Sequence, residues 1–86
     1  MPDVIVYGTS SCPYCTRARM MLDKKDINYE YISLDQTPER RSEMLTRANG
    51  QTSVPQIFID DRHIGGFDDM AELDIDDELD PLLGIA

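Results

Sequence analysis

The chain has 86 residues, enough for one compact domain, and we expect a single domain over residues 1–86. Its hydrophobic fraction of 41% and charged fraction of 29% are near the averages of globular domains and argue against disorder. The net charge of −9 argues against nucleic acid or an anionic membrane as partner, and no apolar run is long enough to span a bilayer.

The excess charge lies entirely in the last third of the chain. Residues 1–59 carry seven acidic and seven basic side chains, whereas residues 60–86 carry ten acidic side chains and one basic one. We interpret the acidic third as a solvated face that aids solubility, with steering of a partner as the alternative. The two cysteines follow no apolar leader, which favours a reducing cytoplasm over a secreted disulfide scaffold.

Strand and helix patterns alternate along the first half of the chain. Residues 4–7 are apolar and β-branched and predict a fully buried strand. Helical spacing of apolar residues follows from Pro13, and lysines come near the end, which predicts a helix over residues 13–25. Residues 29–34 are aromatic and β-branched and predict a second strand.

The second half predicts a helix, a hairpin and a further helix. Thr37 is a candidate cap for a helix that runs to Asn49 and stops at Gly50. Residues 54–59 and 62–64 predict an antiparallel hairpin, residues 67–74 a short helix, and residues 79–85 a last turn. The order β-α-β-α-β-β-α predicts an α/β, thioredoxin-like fold with a four-stranded mixed sheet and helices on both faces.

Two cysteines at the start of the first predicted helix carry the candidate chemistry. Cys12 and Cys15 are three positions apart, so they can close a disulfide across one helical turn. Cys12 faces the unpaired N–H groups at the positive end of the helix dipole, which stabilises a thiolate, whereas Cys15 lies inside the first turn. We therefore predict that Cys12 is the nucleophile and Cys15 the resolving thiol.

Half of a zinc site is the competing interpretation of this pair. A structural zinc ion takes four Cys or His ligands, and the chain offers two cysteines and one histidine, His63. Zinc would need a carboxylate or a second subunit, so we predict no metal site. We interpret His63 as an ordinary exposed strand residue.

Four segments together resemble the dithiol glutaredoxins. These are VIVY at residues 4–7, CPYC at residues 12–15, SVPQIFI at residues 53–59 and GGFDD at residues 65–69. Their order and spacing match over nearly the whole chain, and the short length resembles the bacterial glutaredoxin-3-like proteins. The resemblance implies a cytoplasmic, monomeric enzyme that reduces protein disulfides and glutathionylated proteins, with glutathione as co-substrate and no permanently bound cofactor.

The resemblance also implies a glutathione site. In the family the proline at Pro55 is cis, and the backbone at Val54 pairs with glutathione like an added strand. Gly66 allows the backbone to approach the ligand closely, and Asp68 and Asp69 match the residues that hold the γ-glutamyl end of glutathione. The implied glutathione-binding residues are Thr9, Tyr14, Arg41, Ser53, Val54, Pro55, Gly66, Asp68 and Asp69.

Individual positions in this implied site carry different expectations. Arg41 matches a basic position that pairs with the glycine carboxylate of glutathione, and Tyr14 borders the groove. Thr9 stands where many members have Lys, so affinity for glutathione is expected to be weaker, and Ser53 replaces the usual Thr. By itself, Asp68 would be interpreted as a helix cap.

Two other functions share parts of this pattern. A pair of protomers can hold a [2Fe–2S] cluster through Cys12 thiolates and two glutathiones, but Pro13 and Cys15 disfavour this in the family. A thioredoxin reduced by a flavoprotein is disfavoured because its usual motif contains tryptophan, and this chain has none.

Overall fold

Four strands form one mixed sheet in the order β2-β1-β3-β4. The computed structural model describes residues 2–86. The strands are β1 (Val4–Gly8), β2 (Glu30–Ser33), β3 (Gln56–Ile59) and β4 (Arg62–Gly65). β1 is parallel to β2 and antiparallel to β3, and β3 is antiparallel to β4. This confirms the mixed sheet and the hairpin that the sequence predicts.

Four α-helices accompany the sheet. They are α1 (Pro13–Lys24), α2 (Arg41–Arg47), α3 (Phe67–Ile75) and α4 (Leu79–Leu82), and a 3₁₀ turn at Pro38–Arg40 precedes α2. The element order agrees with the prediction, with α4 at the place of the predicted last turn. Within residues 2–86, none of the helices has the length and apolar character needed to cross a bilayer.

The helix predicted to follow a Thr37 cap and run to Asn49 begins as the 3₁₀ turn at Pro38, becomes α-helical at Arg41 and ends at Arg47. The hydroxyl of Thr37 donates to the Ser33 carbonyl at 2.8 Å and caps no helix, so the Thr37 cap prediction is wrong. At the other end Gly50 has φ +84°, as expected of a stop, but Asn49 is already left-handed at φ 56°. Asparagine tolerates this conformation better than most residues, so the chain leaves the helix before the glycine.

The side chains of the central strands alternate between two apolar clusters. Val4, Val6, Ile57 and Ile59 pack with buried residues of α1, α3 and α4, which are Ala18, Leu22, Met70, Leu79 and the adjacent Leu83. Tyr7 and Phe58 point to the other face, where they pack with Met44 of α2. One departure from the predicted burial is Ile5, which is only half-buried. Helices on both faces hold the sheet and present the end of β1 to the start of α1.

Candidate active site

Cys12 caps the N-terminus of α1. Its backbone is extended, at φ −90° and ψ 117°, and its Sγ accepts a hydrogen bond from the Cys15 N–H at 3.3 Å. Pro13 follows at the first helical position, where its lack of an N–H leaves no donor unpaired. The Cys12 thiol also donates to the Val54 carbonyl at 3.7 Å. The half-buried sulfur therefore lies between the positive end of a helix and the segment before β3.

Cys15 lies in a different environment, with only 1% of its surface exposed. Burial raises the pKa of the Cys15 thiol to about 11, and the neighbouring Cys12 adds to the rise. A backbone hydrogen bond from Thr9 and the hydroxyl of Tyr31 act in the opposite direction. Cys15 is consequently a neutral thiol near pH 7.

A groove of about 310 Å³ lies between the start of α1, the segment before β3 and the start of α3. It is lined by Tyr14, Gln51, Ser53, Val54, Pro55, Gly66, Phe67, Asp68 and Asp69. The structure thus brings together most of the residues that the resemblance implies. A larger cavity of about 800 Å³ is lined by Pro2, Val4 and Asn28, among others, and its lining does not include Val54. The smaller groove is the candidate substrate site, because Val54 lines it and the Val54 carbonyl accepts from the Cys12 thiol.

The wall nearest Cys12 is built around a cis peptide bond. The Val54–Pro55 bond is cis, as the resemblance implies. Across the groove, a Cβ added to Gly66 would lie 3.7 Å from the Pro55 carbonyl oxygen, so the two backbones approach each other closely. Gly65 has φ +116°, a conformation that side chains rarely adopt. The glycine pair therefore allows the chain to turn from β4 into α3 beside Pro55.

Acidic side chains occupy the first turn of α3 at the opposite wall. Gly66 is the N-cap residue, and its N–H donates to Asp69 Oδ2 at 2.9 Å. The capping carboxylate is thus Asp69, so the interpretation of Asp68 as the cap is wrong, and Asp68 is exposed. Carboxylates in this turn are favoured by the helix dipole. The wall combines negative side chains with backbone N–H groups, which suits an amine next to a carboxylate.

A buried glutamine, missed in the sequence, fixes the segment before Pro55. Gln56 is fully buried, and its Nε2 donates to the Ser53 carbonyl at 3.0 Å and to Gln51 Oε1 at 3.3 Å. Its Oε1 accepts from His63 Nε2 at 2.6 Å, and the His63 ring stacks on Phe58 with centroids 5.0 Å apart. The expectation that His63 is ordinary and exposed is therefore wrong. A polar residue within an apolar run was the available signal, since buried amides are nearly always paired.

Two predicted binding residues lie outside this groove in the part of the chain that the structure describes. Arg41 is exposed at the start of α2. Thr9 lies in the loop between β1 and Cys12, and its carbonyl accepts a hydrogen bond from Tyr31 at 2.8 Å. Conversely, Gln51 and Phe67 line the groove although the sequence did not single them out.

Two cysteines at a helix N-terminus, beside a cis-proline and on this sheet topology, define a thiol-disulfide oxidoreductase of the thioredoxin-like fold. The Glutaredoxin family model matches residues 4–64. The chain is 46% identical over 83 residues to glutaredoxin 3 of Escherichia coli (strain K12), covering 96% of this chain and 99% of that protein. The chain belongs to the glutaredoxin family, whose members are thiol-disulfide oxidoreductases.

Further relatives and solved structures agree. A probable glutaredoxin of Synechocystis sp. is 49% identical over 78 residues, which cover 91% of this chain and 89% of the relative. A crystal structure of a buckwheat glutaredoxin-glutathione complex superposes with a TM-score of 0.87 at 32% identity, covering 96% of this chain and 77% of that one. The solution structure of a glutaredoxin from Brucella melitensis superposes with a TM-score of 0.80 at 43% identity, covering 96% of this chain and 89% of that one.

Proposed function

We propose that this protein reduces protein disulfides and glutathione mixed disulfides through Cys12 and Cys15, with glutathione as co-substrate. The observation that carries the proposal is the position of the Cys12 sulfur, at the N-terminus of α1 and within 3.7 Å of the Val54 carbonyl beside the groove. The buckwheat relative in complex with glutathione supports the same ligand for this groove.

In the proposed reaction, the Cys12 thiolate attacks one sulfur of a disulfide. A bond forms between Cys12 Sγ and that sulfur, the substrate S–S bond breaks, and the leaving thiolate takes up a proton. The mixed disulfide is then attacked either by a glutathione thiolate or by Cys15, which loses its proton as the second leaving thiolate gains one. Two glutathione molecules, oxidised together to glutathione disulfide, supply the two electrons that restore the dithiol.

Glutathione is proposed to bind along the groove as an extended peptide. Its backbone pairs with that of Val54, in the manner of an added strand, which places its cysteine next to Cys12. The γ-glutamyl amine meets Asp68 and Asp69, and its carboxylate meets the N–H groups at the start of α3. Tyr14, Ser53, Pro55 and Gly66 shape the groove, whereas Arg41 and Thr9 are proposed to contact the tripeptide only where it extends beyond the groove.

A coupled assay with two electron donors tests the proposal. With glutathione, glutathione reductase and NADPH, the protein should reduce a glutathionylated peptide in a Cys12-dependent manner. With thioredoxin reductase and NADPH in place of the glutathione system, turnover should be at background. Turnover with thioredoxin reductase alone would contradict the proposed co-substrate.

The protein is further proposed to act as a monomer in a reducing cytoplasm, without a resident cofactor. The sequence features that favour this are Pro13 directly after the nucleophile and the second thiol at Cys15. The alternative, a dimer that shares a [2Fe–2S] cluster through two Cys12 thiolates and two glutathiones, predicts a coloured protein. An ultraviolet-visible spectrum of anaerobically purified protein, measured together with its mass in solution, distinguishes the two.

A further inference from the structure

Tyr31 lies outside the groove but reaches the cysteine pair from the opposite side. It is half-buried in β2, where it is paired with Val6 of β1. Its hydroxyl donates to the Thr9 carbonyl at 2.8 Å, in the loop that leads to Cys12. The side chain therefore extends along the sheet to the residues just before the nucleophile.

Gly8 shows how close the tyrosine hydroxyl is to the resolving sulfur. A Cβ built on Gly8 would lie 2.4 Å from Tyr31 Oη and 2.8 Å from Cys15 Sγ. Both polar atoms thus occupy the space that any side chain at position 8 would need. The guanidinium of Arg19 covers the Tyr31 ring at 4.2 Å from its centroid, which helps to hold the ring in place.

In this structure the hydroxyl donates to the Thr9 carbonyl, and its oxygen lies beside the Cys15 sulfur. The hydroxyl can act as a donor to this sulfur and not as a base that removes its proton. Burial raises the pKa of Tyr31 to about 12, and the nearby Cys15 adds to the rise, so the phenol stays protonated across the neutral range. In turn, the Tyr31 hydroxyl beside Cys15 acts to lower the pKa of that thiol, against the stronger effect of burial. Two further titratable groups act on the pair, Cys12 at the N-cap of α1 and Arg19 within α1.

We propose that Tyr31 is a positioning residue for the resolving step: its hydroxyl turns from the Thr9 carbonyl to Cys15 Sγ and donates to that sulfur as it loses its proton. The inference rests on the proposed roles of Cys12 and Cys15. In that step a bond forms between Cys15 and Cys12, and the bond from Cys12 to the substrate sulfur breaks. Cys15 is oxidised and the departing sulfur is reduced, and the proton lost by Cys15 ends on the departing thiolate. Tyr31 keeps its own proton throughout.

An aromatic disulfide that releases a coloured thiolate, dithiobis(nitrobenzoate), distinguishes the reactions of the two cysteines in one experiment without glutathione. Attack by Cys12 releases a first equivalent of coloured thiolate, and attack by Cys15 on the resulting mixed disulfide releases a second. For Tyr31→Phe we expect a second phase that is about tenfold slower at neutral pH, from loss of a hydrogen bond to a developing thiolate. Its pH profile should move to higher pH, and the first phase should be unchanged.

Tyr29→Phe is the matched control, because Tyr29 also loses a hydroxyl but donates to Asp23 at 3.1 Å, on the surface. Both of its phases should match the parent protein. Equal slowing of both phases in Tyr31→Phe would mean that Tyr31 only supports the loop before Cys12, and no slowing would mean that it has no role; either result overturns the proposal. If the parent protein released only one equivalent, the dithiol mechanism itself would fail, and the role of Tyr31 with it.

Discussion

Cys12 and Cys15 are one helical turn apart, yet they meet opposite surroundings. Cys12 is half-buried, and its sulfur hydrogen-bonds with two backbone groups, the Cys15 N–H and the Val54 carbonyl. Cys15 is 1% exposed and lies against Gly8 and the Tyr31 hydroxyl. The comparison shows that a short motif places its two sulfurs in different environments through position alone, one at the start of a helix and the other in the interior, where burial favours a neutral thiol.

The two sulfurs also depend on different parts of the fold. The Cys12 side is formed by loops and helix ends, which can change without disturbing the core. The Cys15 side is formed by β1 and β2, which belong to the core. We therefore expect substitutions around Cys12 to change substrate binding, and substitutions around Cys15 to change the resolving step or the stability.

The largest expected effect comes from exchanging the cysteines themselves. Cys12→Ser should abolish all turnover, because no other group in the chain supplies the attacking sulfur. Cys15→Ser should retain reduction of glutathione mixed disulfides and lose the reduction of protein disulfides that needs both thiols. Assays of the two reactions side by side check the division, and substantial activity in Cys12→Ser would contradict the assignment of the nucleophile.

The next effect tests the acidic wall of the groove. Asp69→Asn should raise the apparent KM for glutathione about ten- to a hundredfold, because losing a charge-assisted hydrogen bond costs on the order of 1.5–3 kcal/mol. The new amide oxygen can still accept from the Gly66 N–H, so the α3 cap should persist. Stability should accordingly change little.

Asp76→Asn is the matched control for charge, since Asp76 is exposed at the far end of α3. It should leave the KM for glutathione unchanged. If both variants raised the KM equally, the overall field of the acidic third would be responsible, and a specific contact at Asp69 would be ruled out.

Alanine substitutions at two glycines, Gly8 and Gly66, compare how tightly the regions around Cys15 and around the groove are packed. Gly8→Ala should lower the free energy of unfolding by about 1–3 kcal/mol, because its Cβ would overlap Tyr31 Oη and Cys15 Sγ. Gly66→Ala should cost less than ~1 kcal/mol, because its Cβ would meet the Pro55 oxygen at an ordinary 3.7 Å, although it narrows the groove. Urea unfolding of the reduced proteins measures both, and equal losses would show that the region around Cys15 is not the more tightly packed one.

Local patterns in the sequence were sufficient for the order of strands and helices and for the sheet topology. The side-chain cap predicted at Thr37 was wrong because the Thr37 hydroxyl bonds back to Ser33, a contact that competes with helix capping and that residue type alone does not reveal. The predicted end of α2 was wrong because Asn49 takes the left-handed conformation before Gly50 does. Both errors concern helix ends, where several residue types can satisfy the same backbone groups.

The errors at the site have a longer-range origin. The partial burial of His63 follows from its pairing with Phe58 across β3 and β4, and the contact of Tyr31 with the loop before Cys12 follows from the pairing of β1 with β2. Such pairings are set by the whole sheet, and no local pattern encodes them. The cis bond at Pro55 was predictable only from the family resemblance, because most X-Pro bonds are trans.

The smallest expected effect concerns Thr9, which stands where many glutaredoxins have lysine. Thr9→Lys, in a Cys15→Ser background, should speed alkylation of Cys12 below neutral pH about two- to fivefold, because an exposed pair of opposite charges contributes roughly 0.2–1 kcal/mol. It should also lower the KM for glutathione, since the ammonium can meet a carboxylate. Thr46→Lys adds the same charge at an exposed position of α2, on the other face of the sheet, and should change neither quantity. An equal gain in both variants would trace the effect to net charge, and no gain in Thr9→Lys would show that position 9 does not face the reacting sulfur.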